Sequence, residues 1–236
     1  MVAREPCQKG TSVLPVVAAL KAHPDRQKLV PERLWKYFDD HLLVSGWYPE
    51  RDYFVLLEAL AKTIDPKTSG GDVWRFFAKF SVQRDLAGAD FGRPAEKGSD
   101  GAIAAANSSA NSSGNSTKGV YRSFIAGDAA DPAQFFRRAL RLWSQYHDTG
   151  SMEIRGGRVS TNTVVAELVG FHIPVEGFVR LQGYYLEEYG RLIGLELESK
   201  VTRSKARGQS SSYQWEYALA RTPTTEAYVA SLPPLP

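Results

Sequence analysis

Between Glu50 and Ile64 the apolar residues Tyr53, Leu56, Leu57, Leu60 and Ile64 recur every three or four positions. That period is one buried face of a helix, which Pro49 starts. The same spacing predicts an earlier helix from Pro31, with Leu34, Phe38, His41 and Leu42 on its inner face and Ser45-Gly46 at its end. After a loop built on Asp65-Pro66 and Gly70-Gly71, Asp72 is placed to cap a third helix carrying Val73, Phe76, Phe77 and Phe80. Asp131-Pro132 opens another, with Phe135, Phe136, Leu140, Trp143 and Tyr146 inward and Gly150 as its stop. The longest helix begins at Pro174 and buries Val175, Phe178, Val179, Leu186, Tyr189 and Ile193, ending at Gly194. Gly183 inside it costs ~1 kcal/mol relative to Ala, so it marks a close crossing with a neighbour.

A period of two replaces the helical one in four places. Met152 to Arg155 and Thr163 to Val169 read as strands joined through Gly156-Gly157. Leu195, Leu197 and Ser199 alternate with Glu196, Glu198 and Lys200, as on a half-exposed strand. Tyr213, Trp215, Tyr217 and Leu219 alternate in a final strand. The sum is an α+β fold: a helical layer packed on a small twisted antiparallel sheet, closing with a helix and a hairpin. One domain is expected over residues 31–221. Residues 1–30 read as an N-terminal extension whose Pro15 interrupts an apolar run, and residues 222–236 as a loose, Pro-rich tail.

Residues 89–119 differ in kind. They are rich in Gly, Ala, Ser and Asn, and cannot bury enough apolar surface to offset the entropy of ordering them. They read as a flexible insertion within the domain. The Asn-x-Ser/Thr triplets at Asn107, Asn111 and Asn115 follow from that composition rather than from glycosylation.

Composition narrows the function classes. Apolar residues make up 43% of the chain, enough for a core, yet no apolar run approaches the ~18 residues of a membrane helix. The start, Met1-Val2-Ala3-Arg4-Glu5-Pro6, lacks the apolar region of a signal peptide, and a cytoplasmic location is expected. Cys7 is the single cysteine, so no internal disulfide forms. A net charge of +3, mixed in sign along the chain, does not call for a nucleic-acid partner.

Several motifs carry a resemblance. Trp47-Tyr48-Pro49-Glu50 precedes a helix; Arg84-Asp85-Leu86-Ala87-Gly88 is followed, beyond the insertion, by Val120-Tyr121-Arg122-Ser123. Leu142 to Gly150 reads Leu-Trp-Ser-Gln-Tyr-His-Asp-Thr-Gly, and the chain closes with Gly208 and Trp215-Glu216-Tyr217. Together they resemble a paralogous family abundant in myxobacteria. That family is distantly similar to four-vinyl-reductase-type small-molecule-binding domains, heme-NO-binding domains and small TRAPP subunits. The resemblance implies helices on an antiparallel sheet, often dimeric, sometimes with an apolar ligand cavity. It implies no cofactor here. The cysteine pair of four-vinyl-reductase-type domains would fall near Ser204 and near Ser212 or Tyr213, and the Tyr-x-Ser-x-Arg motif that holds heme propionates is missing from the sequence.

Candidate chemistry is sparse. Asp148-Thr149-Gly150 matches the aspartic-protease tripeptide, but it follows a helix instead of a strand and occurs once. The histidines at 23, 41, 147 and 172 show no zinc spacing, and no metal site is expected. His172, at the entry to the long helix, reads as a hydrogen-bonded histidine. Lys200, Arg203, Lys205 and Arg207 make the closing hairpin basic, which reads as a charge-blunted sheet edge.

The aromatic residues carry more weight. Trp47, Tyr48, Phe54, Val55, Trp74 and Phe77 exceed what one helical layer needs on its buried side and mark a candidate interface. Trp143, Tyr146, Phe171, Tyr185, Tyr189 and Trp215 are candidates to line a ligand cavity, as Tyr and Trp seek partners for their polar ends when buried. The sequence therefore reads as a non-enzymatic binding or assembly module, a homodimer or paired with a paralogous protein. The alternative is a small-molecule sensor with an internal apolar cavity for a lipid-like or aromatic ligand. Excision of residues 89–119 with a short Gly-Ser join is expected to preserve the fold, and limited proteolysis to cut there first; strong hydrogen-exchange protection of that segment would contradict this.

Overall fold

Strand β4 (Thr163–Val169) is the spine of the larger sheet. It pairs antiparallel with β3 (Ser151–Gly156) on one side and β6 (Tyr213–Leu219) on the other, and β5 (Leu197–Arg203) completes the order β3-β4-β6-β5. The register sets Val164 opposite Tyr217, Ala166 opposite Trp215 and Leu168 opposite Tyr213, all buried. This is the inward row that the period of two predicted. The computed structural model describes residues 5–39, 41–67, 69–86, 131–157, 159–171, 176–203 and 213–234. The insertion at 89–119, its three Asn triplets, His172 and the turn with Lys205 and Arg207 lie outside the described residues.

Two long helices cover the sheet. Asp131 caps α6 (Pro132–Tyr146) by accepting from the backbone N–H groups of Ala133 and Gln134. Helix α7 (Glu176–Leu192) packs along α5 (Val73–Leu86) and onto β5. Asp72 caps α5 through the N–H groups of Trp74 and Arg75, and accepts a bond from the Tyr184 hydroxyl of α7 at 2.7 Å. Buried Glu187 on α7 then binds Arg75 of α5 and the Ser199 backbone N–H of β5, fastening three elements at one carboxylate. Gly183 does mark a close crossing. A Cβ built there would stand 2.9 Å from Trp215 Cδ1 and 3.0 Å from Ser199 Oγ, while the Trp215 indole N–H reaches the Val179 carbonyl at 2.7 Å.

Both ends of the chain depart from expectation. The presumed extension is part of the core. Strand β1 (Cys7–Lys9) pairs with β2 (Trp47–Pro49), and helix α1 (Gly10–Ala22) buries Val13, Val16, Val17 and Leu20. Pro15 sits inside α1 instead of breaking it. Gly10 is needed because its backbone lies against the Leu43 carbonyl, where a Cβ would come within 2.1 Å. Between α1 and β2 the chain makes only short turns, α2 (Arg26–Leu29), a 3-10 turn at Glu32–Leu34 and α3 (Lys36–Asp39), so the helix expected from Pro31 is cut short. Leu34 and Phe38 are nonetheless buried. The run from Glu50 to Ala61 forms α4, whose inner residues are Tyr53, Phe54, Leu56 and Leu57.

The tail expected to be loose forms α8 (Pro223–Ser231). A reciprocal cap holds its start: Thr222 Oγ1 accepts from the Thr225 N–H, and Thr225 Oγ1 accepts from the Thr222 N–H. Asn162, in the left-handed region at φ 49°, bonds through its side chain to the Leu219 carbonyl and Thr225 Oγ1. The Gly156 N–H reaches the Pro233 carbonyl at 2.8 Å. The turn chemistry of Thr222-Pro223 outweighs the Pro-rich composition that suggested disorder.

Gly183→Leu is expected to overpack the α7–sheet crossing and lower stability by about 1–3 kcal/mol. Trp215→Ala opens a cavity costing about 3–5 kcal/mol. Urea denaturation reads both; unchanged midpoints would mean that this crossing is not part of the core.

Candidate functional site

Helix spacing assembles the site. On α6, Ala139, Leu142, Trp143 and Tyr146 fall at steps of three and four; on α7, Phe178, Gln182, Tyr185, Leu186 and Tyr189 do the same. The two faces, with Gln8 of β1, Ser12 of α1, Tyr53 of α4, His147 and Met152 of β3, line a half-open cavity of about 90 Å³. Its floor is held by Trp143, whose indole N–H donates to the Thr149 carbonyl at 3.0 Å and whose ring stacks on His147 with centroids 3.8 Å apart. Phe171 and Phe178 meet the His147 ring at 6.0 and 5.6 Å.

His147 ends α6 in extended backbone and pairs with Gln8 as an antiparallel bridge. The next residue repeats the join: the Cys7 N–H donates to Asp148 Oδ1 at 2.6 Å, and the Asp148 N–H to the Cys7 carbonyl at 3.2 Å. Asp148-Thr149-Gly150 is thus a turn that ties the N-terminal strand to the α6 end, with Gly150 at φ 73°.

Beside this join lies the most unusual pair in the protein. Glu50 is fully buried and His147 is 5% exposed; Glu50 Oε1 lies 2.6 Å from His147 Nδ1. Burial, with Asp148 nearby, pushes the Glu50 carboxyl up to about 8. Burial pushes the His147 imidazole down to about 3. Glu50 is the first residue of α4, where the helix dipole favours an anion by about 0.3–1 kcal/mol; desolvation is the larger effect. At neutral pH both groups are therefore uncharged, a protonated carboxyl and a neutral imidazole joined by a hydrogen bond. Among the described residues, the buried atoms Gln8 Oε1, Thr11 Oγ1, Thr149 Oγ1 and Glu50 Oε2 have no hydrogen-bond partner. Buried polar groups in proteins are as a rule paired, and of these four residues Gln8 borders the cavity.

The expected site residues divide. Trp143, Tyr146, Tyr185 and Tyr189 border the cavity together. Phe171 and Trp215 do not: they are 0% and 1% exposed and belong to the packed core. Of the expected interface, Phe54 on α4 and Phe77 on α5 are buried. Phe54 packs on Phe178 at 4.5 Å. Trp74 is half-buried over Gly177 of α7, Tyr48 bonds to Leu43, and Val55 is half-buried; Trp47 alone of the six is exposed, at 39%. Gln8, Ser12, Glu50 and Gln182 were not foreseen. Glu50 stands next to Pro49 in a motif that the sequence does single out, but nothing in the sequence marks an acid as buried.

No family model matches the chain, and no curated protein matches it. Among solved structures it is similar to H-NOX domains. One comes from work on the function of heme distortion in the H-NOX family, at 12% identity, TM-score 0.48, over 90% of this chain and 95% of that chain. Another is a point mutant of the T. tengcongensis H-NOX domain, at 12% identity, TM-score 0.45, over 91% and 99%. A third is an oxygen-binding H-NOX domain related to soluble guanylate cyclases, at 11% identity, TM-score 0.43, over 92% and 96%.

Heme does not fit the described residues. A cavity of about 90 Å³ is well below the ~300–1,000 Å³ of ordinary small-molecule sites. The imidazole bordering it is stacked on Trp143 and bonded to Glu50. Among the described residues no three His, Cys, Asp or Glu side chains gather as metal ligands, and no helix is long and apolar enough to cross a membrane.

The pair predicts a pH profile. Folded Glu50 keeps a proton that the unfolded chain releases above its ordinary value of 4.5, so stability is lost as pH rises toward 8. Folded His147 refuses a proton that the unfolded chain takes below 6.5, so stability is lost as pH falls toward 3. Between 4.5 and 6.5 the two slopes cancel. Glu50→Gln is expected to remove the loss between pH 6.5 and 8 that the parent shows in thermal melts; parallel curves for the two proteins would refute the buried-acid assignment.

Proposed function

We propose that this protein is a small-molecule-binding domain without catalytic activity of its own, in which the cavity between α1, α6 and α7 takes the ligand. The observation that carries the reading is the composition of that space. Aromatic side chains line it, and Gln8, which also borders it, has a buried side-chain oxygen without a partner among the described residues. A domain selected only for stability fills such a space or pairs such atoms, as each unpaired buried polar group costs about 1–3 kcal/mol. A ligand supplies both the missing contacts and the missing partner. The site draws on β1, α1, α4, α6 and α7 at once, so occupancy stabilises the join between the N-terminal segment and the rest of the chain. That coupling suits a sensor. The assembly reading loses its support with the burial of Phe54 and Phe77.

A ligand at a hundredfold excess over its Kd stabilises the folded state by about 2.7 kcal/mol. A panel of small aromatic molecules is therefore expected to contain members that raise the melting temperature of the parent. Ala139→Leu, which sends three more carbon atoms into the cavity, is expected to abolish those shifts while remaining folded by circular dichroism. No shift in the parent with any member, or equal shifts in both proteins, would sink the proposal.

A further inference from the structure

We infer that the turn at residues 43–47 is a docking tip for a lipid surface, seating shallowly in the headgroup region of a phospholipid bilayer. The inference is independent of the cavity. Exposure is the first observation. Among the described residues, the large apolar side chains left in solvent are Leu43, Val44, Trp47, Phe80, Leu192 and Val201. The last three stand singly on α5, α7 and β5, as isolated apolar residues do on most protein surfaces. Leu43, Val44 and Trp47 share one short turn, and Leu43, at 63%, is the most exposed of the six. Apolar residues grouped in this way mark a contact surface.

The turn is also held in place. The Leu43 N–H donates to the Tyr48 hydroxyl at 2.7 Å, the Gly46 N–H to the Leu43 carbonyl at 2.9 Å, and the Gly10 N–H to the Gly46 carbonyl at 2.9 Å. Trp47 lies in β2, paired with Lys9 of β1. A Cβ at Gly10 would stand 2.1 Å from the Leu43 carbonyl oxygen and 3.0 Å from that of Val44, so protein backs the tip and keeps it from folding inward. Main-chain groups satisfied within the protein are what a segment leaving water requires.

The occupant follows from area and charge. A standard protein interface takes about 800 Å² from each partner, and three side chains on one turn supply only a fraction of that. A bilayer asks for no complementary surface and takes up Trp and Leu at the boundary between headgroups and acyl chains. The Lys9 ammonium stands 4.5 Å from the centroid of the Trp47 ring, a cation placed beside an interfacial indole to meet a lipid phosphate. In sequence, Asp39 and Asp40 precede the turn between Lys36 and His41, so the surroundings carry both signs and apolar burial leads the docking.

Flotation of the full-length protein with phosphatidylcholine vesicles tests this. Reversible binding is expected, with a constant of roughly 10³–10⁴ M⁻¹, at or below that of a single myristoyl chain. Added phosphatidylserine is expected to strengthen it no more than about fivefold, the effect of one lysine. The double variant Leu43→Ser, Val44→Ser is expected to bind about tenfold more weakly at an unchanged melting temperature. Leu192→Ser controls for general stickiness and is expected to bind as the parent does. Vesicles with brominated acyl chains are expected to quench the fluorescence of the parent but not of Trp47→Phe, a readout that stands even if the double variant is less stable. No flotation of the parent overturns the inference, as does binding only to vesicles containing phosphatidylserine. So do undiminished binding by a folded double variant, an equal loss in Leu192→Ser, or quenching that persists in Trp47→Phe. Dimerisation without vesicle binding, abolished by the double variant in ultracentrifugation, assigns the turn to a second copy of the chain and overturns it too.

Discussion

The hydrogen bond between Glu50 and His147 is the interaction on which the arrangement of this protein turns. It joins the first residue of α4 to the residue that caps the end of α6, 97 positions apart in sequence, with both side chains buried. Everything around it is organised to keep that contact dry. The Trp143 ring covers one face of the imidazole, Phe171 and Phe178 stand at its edges, and β1 crosses beside it through the Gln8–His147 bridge. A charged pair in such surroundings carries a large desolvation penalty. Keeping both groups uncharged avoids most of it and leaves a neutral hydrogen bond.

That choice has a consequence for the neighbouring space. Because the Glu50–His147 pair is neutral near pH 7, the cavity that His147 borders is polar without being charged. Gln8 and Ser12 reach it from the N-terminal segment, Tyr146 and Trp143 from α6, and Gln182, Tyr185 and Tyr189 from α7. The cavity exists because these elements meet at the join but are held apart by bulky rings. Glu187 performs the matching task on the far side of α7, where it binds Arg75 and Ser199 and fixes that helix against α5 and β5. One helix is thus held rigidly on one face and borders open space on the other, a sound basis for reading ligand occupancy.

Much of the scaffold was legible in the sequence for reasons of simple periodicity. The strand Thr163–Val169, the alternation from Tyr213 to Leu219, the Asp131-Pro132 and Asp72 caps, and the crossing at Gly183 each follow from local chemistry that tertiary structure did not override. The misses have physical causes too. Pro15 reads as a breaker, yet burial of Val13, Val16, Val17 and Leu20 sustains α1 around it. The tail reads as loose until Thr222 and Thr225 are seen to cap each other. Phe54 reads as a surplus apolar residue because the sequence does not reveal that it packs on Phe178. Four of the six proposed cavity residues share the space, since helical spacing gathers them. The polar half of the site comes from β1, α1 and α4, and only the long-range join at His147 brings it there.

The account stands or falls on whether the space beside Gln8 is real and wants a partner. A crystal structure of freshly purified protein answers this most directly. The expected result is electron density for a small molecule among Trp143, Tyr146, Tyr185 and Tyr189, the aromatic side chains that line the cavity. Tyr185 or Tyr189 folded into that space, leaving no room for a ligand, would contradict it.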